Sequence, residues 1–175
     1  MEVFEIETER LQLRQFRVED AQDVFAIFSD EQTTLDCGGY HAFDAMDEEY
    51  DRLMQKFAGQ TRYSVVRKAD GRVIGVISLM DAERAVPGWE LGIEMAPDVR
   101  RQGYAREAAR ACRDWIFEHT PFLEVYSYMK QDNLPSAAVA RANGMEYRGA
   151  FTDGEGETSV CYAIRRADWQ RLRKA

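Results

Sequence analysis

The chain is poor in the residues that cross-link or metallate small proteins. Its 175 residues include three cysteines (Cys37, Cys112 and Cys161), widely spaced and without a C-x-x-C pair, and two histidines, His41 and His119. An odd, scattered set of thiols excludes a disulfide framework and a zinc site, and it fits a reduced, cytoplasmic protein with no metal. No apolar run reaches the roughly 20 residues of a membrane span. The opening MEVFEIETERLQLR alternates charged and apolar residues, unlike a signal peptide. There is no G-x-x-x-x-G-K-[ST], which excludes a P-loop NTPase, and no G-x-G-x-x-G after a strand, which excludes the dinucleotide fingerprint. Positive charge is in the minority, 23 Lys and Arg against 31 Asp and Glu for a net charge of −8, which argues against nucleic acid and mildly favours a cationic partner.

What is present is an ordinary globular composition, 45% hydrophobic and 31% charged. The length suits one domain over residues 1–175, with no internal repeat or linker. Thr8 to Phe16 alternates as a first strand, and Val18 to Ser29 reads as a helix burying Ala21, Val24, Phe25 and Phe28. Residues 30 to 43 lack periodicity and read as a loop. A second helix is expected from about Asp44 to Ala58, stopped by Gly59. Arg62–Arg67, Arg72–Met80 and Trp89–Met95 form a meander, with Ala69-Asp70-Gly71 as the first turn. A helix to His119, a strand over Leu123–Met129, a short helix over Ser136–Asn143 ended by Gly144, a hairpin of Met145–Phe151 with Glu157–Ile164, and a basic helix over Ala167–Lys174 complete the chain. This order predicts an α+β fold with a mixed, mostly antiparallel sheet, one parallel pair at its centre and helices on both faces.

The stretch Pro97 to Arg106, PDVRRQGYAR, lies between the alternating strand ending at Met95 and the helix Glu107–His119. A strand, a basic glycine-bearing loop and a helix together make a phosphate cradle, because the first-turn amides and the positive end of the helix dipole need a partner. Gly103 permits close backbone approach, as does small Ala105, and Arg100, Arg101 and Arg106 add positive charge. The same pattern also suits a basic turn that opens a surface helix and binds nothing. Further on, Asn133-Leu134-Pro135-Ser136 leads to Ala142-Asn143-Gly144-Met145. Asn133 either caps that helix or, with Ser136, reaches a ligand.

Within the cradle, RRQGYA fits R-x-x-G-x-A and resembles the [QR]-x-x-G-x-[GA] signature of GNAT-superfamily N-acetyltransferases. Three other stretches resemble the branch that acetylates ribosomal-protein N-termini: the N-x-x-S turn, Trp89-Glu90-Leu91-Gly92-Ile93, and the opening TERLQLR followed by Asp20-Ala21. The resemblance covers nearly the whole chain and matches the order of elements. It implies a single GNAT domain with a splayed parallel strand pair, acetyl-CoA as co-substrate and a primary amine as acceptor. It implies that the amides and side chains of Arg100, Arg101, Gln102, Gly103, Tyr104, Ala105 and Arg106 hold the pyrophosphate, that the backbone of Ile93 and Met95 pairs with pantetheine, and that Asn133 contacts it. By analogy alone, a homodimer is expected.

Amide formation from a thioester needs a base for the amine and an acid for the departing thiolate. Glu90 is the candidate base and Glu94 the second; both lie on the strand face opposite Trp89, Leu91 and Ile93, and a half-buried carboxylate there suits the task. Many family enzymes carry a Tyr seven residues after the motif Asn, where this chain has Ala140. Ser136 is therefore the candidate acid, with Tyr162, Tyr128 and bulk water as alternatives. The missing Tyr also leaves open a sensor that binds acyl-CoA without turnover. Cys161 reads as a core thiol, His119 as a helix-end residue, and the acidic loop of Asp30, Glu31 and Asp36 as suited to an amine.

Overall fold

A computed structural model describes residues 4–36, 62–82, 86–154 and 156–174. The helix expected over Asp44–Ala58 lies outside the described residues, as do Cys37 and His41. Eight strands order as β1-β2-β3-β4-β5-β6-β8-β7. They are β1 (Glu5–Glu7), β2 (Leu11–Gln15), β3 (Arg62–Arg67), β4 (Val73–Asp81), β5 (Gly88–Met95), β6 (Glu124–Lys130), β7 (Glu146–Thr152) and β8 (Thr158–Arg165). The described helices are α1 (Ala21–Phe28), α2 (Glu31–Asp36), α3 (Tyr104–His119), α4 (Leu134–Ala142) and α5 (Arg166–Leu172). The fold is α+β with a mixed sheet, as the element order predicts.

Two compact units are distinguished, Met1–Ser78 with Ile93–Ala108, and Leu79–Gly92 with Ala109–Ala175. In the first unit the strand expected over Thr8 to Phe16 is shortened to β2, and a further strand, β1, precedes it, because Thr8–Arg10 makes a turn that pairs β1 with β2. The turn forms because the Thr8 hydroxyl accepts from the Leu11 amide at 2.9 Å while the Thr8 amide donates to the Leu11 carbonyl at 2.9 Å. Leu11 and Leu13 are fully buried, and α1 adds Val24, Ile27 and Phe28, each contributing about 1.5–3 kcal/mol of apolar burial. A short 3-10 turn at Val18–Asp20 precedes α1.

Part of the expected loop 30–43 is helical over Glu31–Asp36. The reason is a cap: Asp30 Oδ2 accepts from the Thr33 amide at 2.8 Å and the Thr33 hydroxyl at 2.7 Å. The first unit also holds a buried ion pair. Arg14 donates with both terminal nitrogens to the two oxygens of Asp20, at 2.7 and 2.8 Å. Ser64 Oγ and the Arg17 amide complete the carboxylate at 2.8 and 2.9 Å. Burial alone would push the Asp20 carboxyl up, but these donors outweigh it and hold it below the ordinary value.

In the second unit β5 and β6 form the expected parallel pair, with Gly88 against Glu124, Trp89 against Val125 and Glu90 against Tyr126. Gly88 is required there: a Cβ would lie 2.3 Å from the Glu124 carbonyl oxygen. β6 pairs antiparallel with β8 along its whole length, and β8 pairs with the exposed edge strand β7. Cys112, Ile116, Val125, Ala163 and Ile164 are buried, and Arg166 donates to the carbonyls of Phe117, Thr120 and Phe122, closing the C-terminal end of α3.

Candidate active site

The loop of the first unit carries the expected geometry. Gly103 has φ of 83° and Arg101 has φ of 62°, so the chain turns through left-handed backbone just before α3. Glycine adopts that conformation without cost, whereas other residues lose about 1–2 kcal/mol there. The helix begins at Tyr104, three residues earlier than expected, and the Glu107 amide donates back to the Gly103 carbonyl at 3.1 Å. Among the described residues, the amides of residues 101–106 donate to no backbone or side-chain acceptor. Arg101, Gln102, Gly103 and Arg106 are exposed; Tyr104 and Ala105 are half-buried. The 16 residues of α3 place a full dipole behind those amides.

Arg100 behaves differently from the positive charge expected in the cradle. Its Nη2 donates to Thr33 Oγ1 at 2.5 Å and Asp30 Oδ2 at 3.1 Å, and its Nε to the Met95 carbonyl at 3.3 Å. The guanidinium is an internal tie between the end of β5 and the start of α2. Asp30, expected in an acidic acceptor loop, is engaged by the same tie. Burial would push its carboxyl up, but the Thr33 hydroxyl and amide and Arg100 hold it below the ordinary value. Ile93 is half-buried, while Met95 is buried with its carbonyl taken by Arg100.

Two loop supports were not expected from the sequence. Glu107 Oε1 accepts from Thr8 Oγ1 at 2.6 Å and the Arg10 amide at 2.9 Å, and its Oε2 accepts from Arg10 Nε at 2.6 Å. Burial would push the Glu107 carboxyl up, but these donors keep it below its ordinary value. Arg10 Nη1 donates on to the Gln102 carbonyl at 3.0 Å. The only sequence signal was the T-x-R spacing itself, whose partner lies 97 to 99 residues away.

In the second unit Glu90 is half-buried on the last recorded rung between β5 and β6, opposite Tyr126. Glu94, in the first unit, has its Oε2 buried. Asn133 caps α4, its Oδ1 accepting from the Ser136 amide at 3.1 Å. The Ser136 side chain is half-buried, and its hydroxyl makes no hydrogen bond among the described residues. Tyr162 is buried, with its oxygen accepting from Arg141 Nη2 at 2.7 Å. Cys161 is buried in β8 and His119 stacks on Trp115 at the end of α3, both as expected of structural residues.

A mixed sheet with one parallel pair, followed by a glycine loop at the head of a long helix, is the arrangement expected of an acyltransferase of the GNAT class. The family model for the acetyltransferase (GNAT) domain matches residues 10–146. The chain therefore belongs to the GNAT acetyltransferase family, whose members transfer acetyl from acetyl-CoA to an amine. It is 26% identical over 154 residues to the uncharacterised N-acetyltransferase YoaA of Bacillus subtilis strain 168, covering 83% of this chain and 85% of that protein. The crystal structure of a GNAT acetyltransferase from Bacillus anthracis superposes with a TM-score of 0.83 at 22% identity, covering 94% of this chain and 99% of that one. The spermidine N-acetyltransferase of Vibrio cholerae, solved with CoA and spermine, shares the fold with a TM-score of 0.71 at 17% identity, covering 93% of this chain and 99% of that one.

Proposed function

We propose that this chain acetylates a primary amine by direct attack on acetyl-CoA within a ternary complex. The observation that carries the reading is the run of amides at residues 101–106 with no acceptor among the described residues, headed by a left-handed glycine. A diphosphate satisfies those donors and the helix dipole together. Met95 offers pantetheine little through its carbonyl, since Arg100 holds it, so the strand's contribution falls to amides and to Ile93.

In the reaction the neutral amine attacks the thioester carbonyl carbon, the C–N bond forms, and the C–S bond breaks as the tetrahedral intermediate collapses. Glu90 takes the amine's proton, directly or through water, and Ser136 gives a proton to the departing thiolate. Support for Ser136 is its half-buried hydroxyl, uncommitted among the described residues. Family membership favours turnover over the sensor that binds acyl-CoA without reaction. The acceptor is a small amine or a protein N-terminus. The engagement of Asp30 by Arg100 removes one of the groups that would have attracted a cationic acceptor.

The test is release of free thiol from acetyl-CoA across polyamines, amino sugars, amino acids and peptides with free N-termini. Thiol release that depends on one amine class identifies the acceptor, whereas acetyl-CoA uptake without release from any of them overturns the catalytic reading. Glu90→Gln is expected to lower turnover at neutral pH by roughly a hundredfold, the low end of general-base contributions. The loss should shrink at high pH, where the amine sheds its own proton. An unaltered pH–rate profile removes Glu90 from the reaction.

A further inference from the structure

We infer that Arg10 and Glu107, anchored by Thr8, are positioning residues that fix which way the Gly103 amide points; this rests on reading the loop as a diphosphate cradle. One guanidinium touches the residues on either side of Gly103. Arg10 Nη1 donates to the Gln102 carbonyl at 3.0 Å, its Nη2 lies 3.4 Å from where a Cβ on Gly103 would stand, and its carbon sits 4.2 Å from the centroid of the Tyr104 ring. The fourth contact, Nε to Glu107 at 2.6 Å, ties the same group one turn into α3.

The peptide unit between Gln102 and Gly103 carries that carbonyl and the Gly103 N–H on opposite edges of one plane. Holding the oxygen on Arg10 therefore holds the N–H on the other side, aimed away from the guanidinium. Glycine at φ of 83° leaves this plane easy to flip. A flip would turn a carbonyl oxygen toward the bound anion. Glu107 prevents it indirectly: with Thr8 Oγ1 and the Arg10 amide on one oxygen and Arg10 Nε on the other, it fixes both the backbone and the side chain of Arg10.

The inference makes a prediction opposite in sign to simple electrostatics. Glu107 is an anion beside an anion site, so neutralising it should tighten diphosphate binding if charge alone mattered. If Glu107 positions the loop, Glu107→Gln weakens it. Arg10→Lys keeps the charge but loses the fork that serves Glu107 and Gln102 together, and it should weaken binding as well.

The experiment titrates CoA into the wild type, E107Q, R10K and the double variant by calorimetry, with the proton and nitrogen shifts of the Gly103 amide followed by NMR in the absence of CoA and thermal unfolding as a check on folding. Each single variant is expected to bind CoA about tenfold more weakly, with the double variant close to the singles because the two residues act as one unit. The Gly103 amide shift should move in all three, because the Gln102 carbonyl loses its hold on Arg10. Should E107Q fail to fold, Thr8→Val, which removes one donor to Glu107, takes its place. Equal or tighter CoA binding by the charge-neutral variant with an unmoved Gly103 amide shift overturns the inference. A moved shift together with no CoA uptake by the wild type upholds the strut and sinks the cradle reading instead.

Discussion

Both oxygens of the Asp20 carboxylate are met by donors, from Arg14, Arg17 and Ser64. At residues 101–106 the situation is reversed, and backbone donors face no acceptor among the described residues. Both regions are polar and both belong to the same unit. The difference separates polar groups that stabilise the fold from those available to a ligand. A buried group left unmatched costs about 1–3 kcal/mol. Closed networks can therefore sit in the core, while open ones must lie at the surface or against something that completes them. Arg10, Arg100 and Glu107 show the intermediate case: side chains beside the open region that are themselves closed, holding it in shape.

The contrast breaks first at Asp20. Asp20→Asn leaves the Arg14 guanidinium buried without its counter-charge, and breaking such a pair typically costs about 3–5 kcal/mol. Urea unfolding should show a loss near the lower end, because the amide keeps one acceptor, with CoA affinity of the folded fraction unchanged. A pH series sharpens it. The Asp20 carboxyl is held below its ordinary 3.8, so its contribution is fully present above that value and is lost as pH falls through the lower folded-state value. Wild-type stability should therefore decline below about pH 4 more steeply than that of D20N. Parallel acid limbs in the two proteins would show that Asp20 is not the group responsible.

Gly103→Val is the converse. It strains a left-handed backbone and sets a branched side chain where the ligand's phosphate would approach, with a new Cβ 3.4 Å from Arg10 Nη2. Loss of one charge-assisted hydrogen bond is worth about 1.5–3 kcal/mol, so CoA binding should weaken at least about tenfold. The thermal midpoint should fall by only about 2–8 °C, the cost of a non-glycine residue in left-handed backbone. Unchanged affinity would show that the open amides serve no diphosphate.

These two positions also mark how far the sequence could be read. Gly103 was legible because loop, glycine and helix are contiguous, and a short pattern carries the whole geometry. The strands were legible from alternation, as at Leu11 and Leu13. The roles of Thr8, Arg10 and Arg14 were not, although the motif containing them was recognised. Thr8 and Arg10 meet Glu107 97 to 99 residues further on, and the Asp20 carboxylate that holds Arg14 is completed by Ser64 across 44 residues. The partners of Arg100 are hidden for the same reason: Asp30 and Thr33, which its Nη2 meets, lie 70 and 67 residues back. Helix α2 is not legible in the sequence because six residues hold less than two turns of apolar period, while the Asp30 cap that defines it is one residue long.

The smallest expected effect is at Asn133, where the two readings left open by sequence divide between its two side-chain atoms. Oδ1 is committed to the Ser136 amide, so the residue is a helix cap, and any contact with pantetheine falls to Nδ2. Asn133→Ala removes both and should cost about 1 kcal/mol of stability. Asn133→Asp keeps the capping oxygen and removes the amide donor, and its charge suits a helix N-terminus. If capping is the whole role, the aspartate variant matches the wild type in both stability and KM for acetyl-CoA. If the Nδ2 group also holds the co-substrate, stability is kept while KM rises several-fold, about the 0.5–1.5 kcal/mol of one neutral hydrogen bond. The second outcome would place Asn133 among the groups that close one bond on the fold and leave another open to the ligand.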